Sequence, residues 1–226
     1  MSDETLAGRL AAVRAGIAEA ADAAGRDPEG VELIVVTKFH PASLVRGLAE
    51  AGVQDVGENR HQEARAKAVE LAELGLRWHF VGQLQSKKAR QVREYAHAVH
   101  SIDRVSLVTA LGVDDGRTID GFIQVNLTED PGRGGVQPEE LDPLAEAVLA
   151  AEGIRLRGLM AVAPLGEPAR PAFARVRALS ERLQRLAPDA RALSMGMSHD
   201  YPDAILEGAT HLRIGTAITG NRPGAG

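Results

Sequence analysis

The feature of this sequence that most restricts its fold is an alternation. Short apolar runs rich in branched residues recur at 32–37, 54–57, 78–82, 98–102, 122–127, 156–162, 193–197 and 212–218. Between them, 42–51, 61–74, 86–95, 104–111, 138–152, 168–186 and 200–207 read as helices. Continuously apolar strands joined by crossover helices imply a parallel sheet covered on both faces, and eight repeats allow it to close. The expected fold is therefore α/β, a single (β/α)8 TIM barrel, with an open doubly wound sheet as the alternative. An extra N-terminal helix is expected over 3–24, where Leu6, Leu10, Val13 and Ile17 recur at spacings of three and four. Gly25 and Pro28 stop it, and it is expected to cover one end of the barrel.

No Pro/Gly/Ser-rich linker divides the 226 residues, so one domain over 1–226 is expected. A net charge of −5 offers no general attraction to a phosphate backbone, which argues against nucleic acid as the main partner. The absence of cysteine removes disulfides and thiolate metal sites, and no metal is expected. The charged opening segment lacks an uninterrupted apolar core of signal-peptide type, and no run reaches membrane-spanning length. A cytoplasmic protein, away from membranes, is the expectation.

In a closed parallel barrel every strand delivers its C-terminal end to one rim, where functional groups collect. Polar residues do cluster at those ends: Lys38 follows LIVVT, Asn59 follows DVGE, His79 and Gln83 flank FVG, and Arg133 follows QVNL in a glycine-rich loop. Ser198 follows SMGM, and Arg213 lies in HLRIGT. A lysine ending a buried strand either carries its ammonium to solvent or loses its charge, and the neutral amine attacks aldehydes to give a Schiff base. The last two strands supply a hydroxyl and closely placed glycines, a corner suited to phosphate in barrels of this kind. Ser198 would equally serve as the cap of the helix starting near Asp200, and Gly215 could mark close packing alone. Arg213 interrupts an apolar strand, so its permanent charge demands an acceptor, either a pyridine-type nitrogen or a carboxylate such as Glu58. His79, beside Trp78, reads more readily as a hydrogen-bonded core residue than as a base, and Asn59 reads equally as the cap of the helix after GENR.

Taken together, VTKFHP, GENRHQE, WHFVGQLQSKK, HSIDR, VNLTEDPGRGGV, RGLMAVAPLG, LSMGMSHD and LRIGTAITG resemble the YggS/PROSC-type pyridoxal-phosphate homeostasis proteins, themselves similar to the barrel domain of alanine racemases. The resemblance runs from about Val31 to Arg222. It implies the same barrel, with pyridoxal 5'-phosphate carried by Lys38 as a Schiff base. It further implies that Ser198, Gly215 and Thr216 hold the phosphate and that Arg213 faces the pyridine nitrogen. Asn59, His79, Arg133 and Met160 would line the ring and its substituents. Phe39, His40, Lys87, His199 and Thr219 depart from the usual family pattern, and His40, Lys87 and His199 bear on access to the pocket or its charge.

An arginine at the pyridine nitrogen disfavours ring protonation, which weakens the cofactor as an electron sink. Racemisation would need two acid–base groups on opposite faces of the substrate, and Lys38 supplies one. In alanine racemases, by resemblance, the second is a tyrosine from a further domain, and this sequence ends about four residues after NR. Its own tyrosines are Tyr95 and Tyr201, neither an obvious substitute. The expectation is a non-catalytic, monomeric carrier serving vitamin B6 homeostasis, with transient contact to apoenzymes that depend on the cofactor. An amino-acid racemase or a lysine Schiff-base aldolase is the alternative.

Overall fold

The computed structural model describes residues 5–221. Eight parallel strands, β1 (Glu32–Val36), β2 (Asp55–Glu58), β3 (Arg77–Phe80), β4 (Ala96–Ile102), β5 (Ile119–Gln124), β6 (Ile154–Met160), β7 (Ala192–Ser194) and β8 (His211–Ile214), pair in chain order. The barrel closes because β8 returns to β1, with Ile34 opposite Arg213 and Val35 opposite Ile214. That pairing excludes the open sheet.

The helices are α1 (Leu6–Ala23), α2 (Ala42–Glu50), α3 (His61–Glu70), α4 (Ala89–Arg93), α5 (Val105–Leu111), α6 (Leu141–Leu149), α7 (Ala169–Leu183), α8 (Tyr201–Leu206) and α9 (Thr216–Thr219). Thr5 caps α1 by accepting the Gly8 N–H at 3.0 Å. Residues 3 and 4, expected in that helix, and Arg222, at the end of the resemblance, lie outside the described residues. Rather than closing an end, α1 packs against α8 and α9, with Arg9 Nε donating to the Ile218 carbonyl at 2.7 Å. Gly16 lets Tyr201 approach, since a Cβ there would lie 2.2 Å from the Tyr201 hydroxyl.

Two boundaries differ from the sequence pattern for a physical reason. β5 begins at Ile119, ahead of the apolar run, because Asp120 inside the strand is satisfied by Arg155 Nε at 2.6 Å. The run 212–218 is divided after Ile214, where Gly215 leaves extended geometry and Thr216 opens α9. Among the described residues no helix is long and apolar enough to cross a membrane.

Side chains alternate along each strand. The outward set, including Val35, Val56, Phe80, Val99, Ile123, Leu193 and Leu212, joins helix residues such as Val45, Leu48, Leu144 and Phe173 in one apolar core. The inward set contains a small apolar cluster, Ala98, Phe122 and Met160, and otherwise many polar groups. The loops after the strands' C-terminal ends surround the mouth.

Candidate functional site

A cavity of about 400 Å³ opens at this mouth. Lys38, Asn59, Met160, Ser198, Arg213, Gly215 and Thr216 all line it, together with His40, His199 and Thr219. Residues scattered over the length of the sequence therefore converge because six strands end there. A larger groove of about 480 Å³ lies elsewhere, lined by Leu127, Pro138, Arg175 and Leu179 among others. It lacks the convergence of an amine, a guanidinium and a glycine cradle, so the mouth cavity is the candidate.

Lys38 continues the inward parity of Ile34 and Val36, and the chain turns sharply beyond it. Phe39 adopts φ 68°, the only non-glycine residue with positive φ among those described. Such a conformation costs on the order of 1 kcal/mol. Contacts offset it: the Phe39 N–H donates to Glu63 Oε2 at 3.2 Å, and the Arg60 guanidinium lies 4.8 Å from the ring centre. Behind the turn, Lys67 Nζ donates to Glu58 Oε1 at 2.6 Å and to the Thr37 carbonyl at 2.9 Å, while the Thr37 hydroxyl donates to Glu58 Oε1 at 2.7 Å. Burial pushes the Glu58 carboxyl up, opposed by these two hydrogen bonds. The backbone leading into Lys38 is thus tied down by a buried ion pair.

On the opposite wall Ser198 does not cap α8, which has no side-chain cap; Asp200, at its N-cap position, accepts instead from the Met197 N–H of the preceding loop at 2.6 Å. Its hydroxyl oxygen reaches the start of α9, accepting from the Ala217 N–H at 3.3 Å and from the Thr216 hydroxyl at 3.4 Å. A Cβ on Gly215 would meet nothing closer than Val36 O at 3.5 Å, so packing does not demand this glycine. What it does is leave the cavity wall bare beside N–H groups that precede the first helical bond. Asn59 Oδ1 is buried without a hydrogen-bond partner. A buried, unspent acceptor calls for a donor.

Arg213 forms no pair with Glu58, which Lys67 has taken. Its Nη1 donates to Ser194 Oγ at 2.7 Å and its Nη2 to the Ala161 carbonyl at 2.9 Å. That accounts for two of five N–H donors. Burial draws its pKa down to about 10, so the charge persists at neutral pH.

Two expected lining residues lie elsewhere. His79 sits inside the barrel below the cavity, its Nε2 against Asp55 Oδ1 and its Nδ1 against His100 Nε2, both at 2.9 Å. Both ring nitrogens are occupied, so it is the core histidine that its neighbour Trp78 suggested. Arg133 lines an adjacent, smaller cavity with Gln124, Asn126 and Gly134. The loop carrying it folds back on β5, where Val136 N–H donates to the Gln124 carbonyl at 2.8 Å. Lys87 is absent from the lining. Neither tyrosine lines the cavity: Tyr201 packs on α1, and Tyr95 stacks on His61, with burial raising its phenol pKa.

Sequence reasoning missed the interior polar set of Asp55, His100 and Ser194. Each is a polar residue of a short, otherwise largely apolar strand, at its start in β2, within β4 and at its end in β7, and that was the available signal. Glu32, Asp55 and His79 also bring ligand-type atoms within 4.8 Å of one another. Arg77 donates to both oxygens of Asp55, which offsets one of the two carboxylates in the cluster.

Known proteins are similar to this chain over most of its length. A family model for the alanine racemase N-terminal domain matches residues 9–223. The pyridoxal phosphate homeostasis protein of Pseudomonas aeruginosa is 46% identical, with 96% of each chain covered, and that of Escherichia coli is 42% identical, covering 96% of this chain and 97% of its own. PipY of Synechococcus elongatus, solved with PLP bound, is 39% identical with a TM-score of 0.81, covering 95% of this chain and 99% of its own. Alanine racemase from Corynebacterium glutamicum, 17% identical with a TM-score of 0.71, covers 96% of this chain and 63% of its own, and shares the fold.

Proposed function

Because this chain belongs to the alanine racemase N-terminal domain family, to which the pyridoxal phosphate homeostasis proteins are related, we propose that it binds pyridoxal 5'-phosphate in the mouth cavity and serves intracellular vitamin B6 homeostasis. One observation carries the reading: an inward lysine, a buried arginine and a glycine-lined cup converge on a single cavity of about 400 Å³. That volume falls in the range of small-molecule sites.

The cofactor supplies an aldehyde, which an amine attaches with loss of water. Lys38 is the residue placed to provide that amine, and the Thr37–Glu58–Lys67 network holds its backbone in position. Ser198, Gly215 and Thr216 would receive the anionic phosphate, the hydroxyls and the first N–H groups of α9 donating to it. Arg213 would offer an unspent N–H to the ring nitrogen, which accepts only in its unprotonated form. Asn59 would accept from a ring substituent and Met160 would pack against the ring. Arg133 and His79 act less directly, the first from the neighbouring loop and the second from beneath the floor.

The positions of the tyrosines support a carrier that holds and releases the cofactor without turnover. Racemisation needs a second acid–base group facing Lys38, and both tyrosines point elsewhere. His40 and His199 do line the cavity, and they are the groups to replace if a panel of amino acids loses optical activity. The proposed carrier is monomeric and cytoplasmic, one barrel domain meeting apoenzymes transiently at its open mouth.

Borohydride reduction followed by peptide mapping tests the reading, with the label expected on Lys38 and the visible absorption of the bound cofactor lost in Lys38→Ala. Label spread over other lysines, or none, would overturn it. The double variant Ser198→Ala with Thr216→Val should weaken pyridoxal 5'-phosphate more than pyridoxal.

A further inference from the structure

The interior of the barrel contains a continuous chain of hydrogen bonds that begins at the cavity floor and ends near the opposite face. Arg213 Nη1 meets Ser194 Oγ at 2.7 Å, and Ser194 Oγ meets His100 Nδ1 at 2.8 Å. His100 Nε2 meets His79 Nδ1 at 2.9 Å, and His79 Nε2 meets Asp55 Oδ1 at 2.9 Å. Arg77 then clasps Asp55 from the solvent side. All the links between Arg213 and Asp55 are buried.

The chemistry of its two ends gives this chain a direction. Asp55 is held ionised: burial pulls its carboxyl up, but hydrogen bonds from His79 and Arg77 outweigh that pull. An ionised carboxylate only accepts, so His79 Nε2 carries hydrogen. The assignment that adds no further buried charge leaves His79 Nδ1 as an acceptor, which places hydrogen on His100 Nε2 and leaves His100 Nδ1 as an acceptor. His100 is itself kept neutral by complete burial and by the nearby Arg213 guanidinium. The Ser194 hydroxyl must therefore donate to His100, turning its lone pairs toward the Arg213 guanidinium, which can only donate. Every donor in the series meets an acceptor, from a cation at one end to an anion at the other. In the reverse arrangement His79 is a second buried cation and the Ser194 proton is left over.

We propose that Ser194, His100, His79 and Asp55 are positioning residues for Arg213, a one-directional relay that fixes the guanidinium facing the ring nitrogen of the bound cofactor. The inference rests on the pyridoxal 5'-phosphate reading of the cavity. Its content is that a carboxylate four hydrogen bonds away aligns the acceptor on which Arg213 is seated. Polarised chains of this kind strengthen each member bond, and a half-satisfied one is costly.

The test compares two ligands, pyridoxal 5'-phosphate and a carbocyclic analogue in which the ring nitrogen is replaced by C–H. Ser194→Ala and Asp55→Asn should each weaken the natural cofactor, Ser194→Ala by roughly tenfold, the worth of one hydrogen bond to a charged group. Both should leave the analogue unaffected, since it offers Arg213 no acceptor. Asp55→Asn keeps the side chain's shape and serves if the serine variant does not fold. Equal weakening of both ligands, or weakening of neither, overturns the relay. Nitrogen-15 spectra of the histidine rings give a second readout, with hydrogen expected on Nε2 and not on Nδ1 of His79 and His100. A doubly protonated His79 at neutral pH overturns the direction. If the unaltered chain carries no reducible adduct on Lys38, it is the cofactor reading that fails instead.

Discussion

The layer between strands and helices and the space enclosed by the strands are both buried, yet they are held together differently. Outside the sheet, Val35, Val56, Phe80 and Ile123 meet Val45, Leu48 and Phe173 in a core of apolar contacts. Inside it, Asp55, His79, His100, Ser194 and Arg213 are joined by directed hydrogen bonds beside a small apolar cluster, Ala98, Phe122 and Met160. Contacts in the outer layer are non-directional and depend on volume, whereas the interior depends on protonation and geometry. The contrast teaches that stability and function draw on opposite faces of the same strands.

The largest expected effect breaks the outer layer. Phe173→Ala, at a fully buried ring, should cost about 3–5 kcal/mol in urea unfolding, nearly independent of pH. The interior should show the reverse, a loss driven by acid alone. Burial pushes His211 down to about 3 and His100 well below its usual value, so the native state binds fewer protons than the unfolded chain below about pH 6.5. Stability is therefore retained above that value and lost as pH falls toward the folded pKa. From about pH 7.5 to about pH 5.5 the two histidines together should remove about 3 kcal/mol, measured by urea titration at each pH. A flat profile over that range would erase the distinction between the two regions.

Two glycines sharpen the comparison with smaller effects. Gly196 has φ 93°, and a Cβ on it would lie 2.7 Å from Ala204 Cβ and 3.0 Å from Leu212 Cδ2, in the outer layer. Gly196→Ala should cost about 1–3 kcal/mol in thermal unfolding. Gly215 faces the cavity and its Cβ would make only ordinary contacts. Gly215→Ala should change stability by less than about 1 kcal/mol while weakening retention of pyridoxal 5'-phosphate, read by equilibrium dialysis. Loss of stability without loss of retention would place Gly215 with the frame rather than the site.

Much of the site was legible because strand ends mark themselves: Lys38, Ser198, Arg213 and Gly215 each interrupt or follow an apolar run. His79 and Arg133 stood in the same kind of position, yet one points beneath the floor and the other lines a neighbouring cavity. Strand parity and loop path decide such cases, and neither is written in a short motif. The alternative Arg213–Glu58 pair is not formed because Lys67, two turns into a surface-like helical segment, holds the carboxylate.

By itself the sequence determined the alternation of strands and helices, the residues available at the rim and the absence of thiol chemistry, because these depend on local periodicity and composition. Tertiary structure alone decided that β8 closes on β1 and that single polar residues from β2, β3, β4, β7 and β8 meet inside the barrel. Hydrogen bonds between strands distant in the chain exist only after closure has brought their inward faces together.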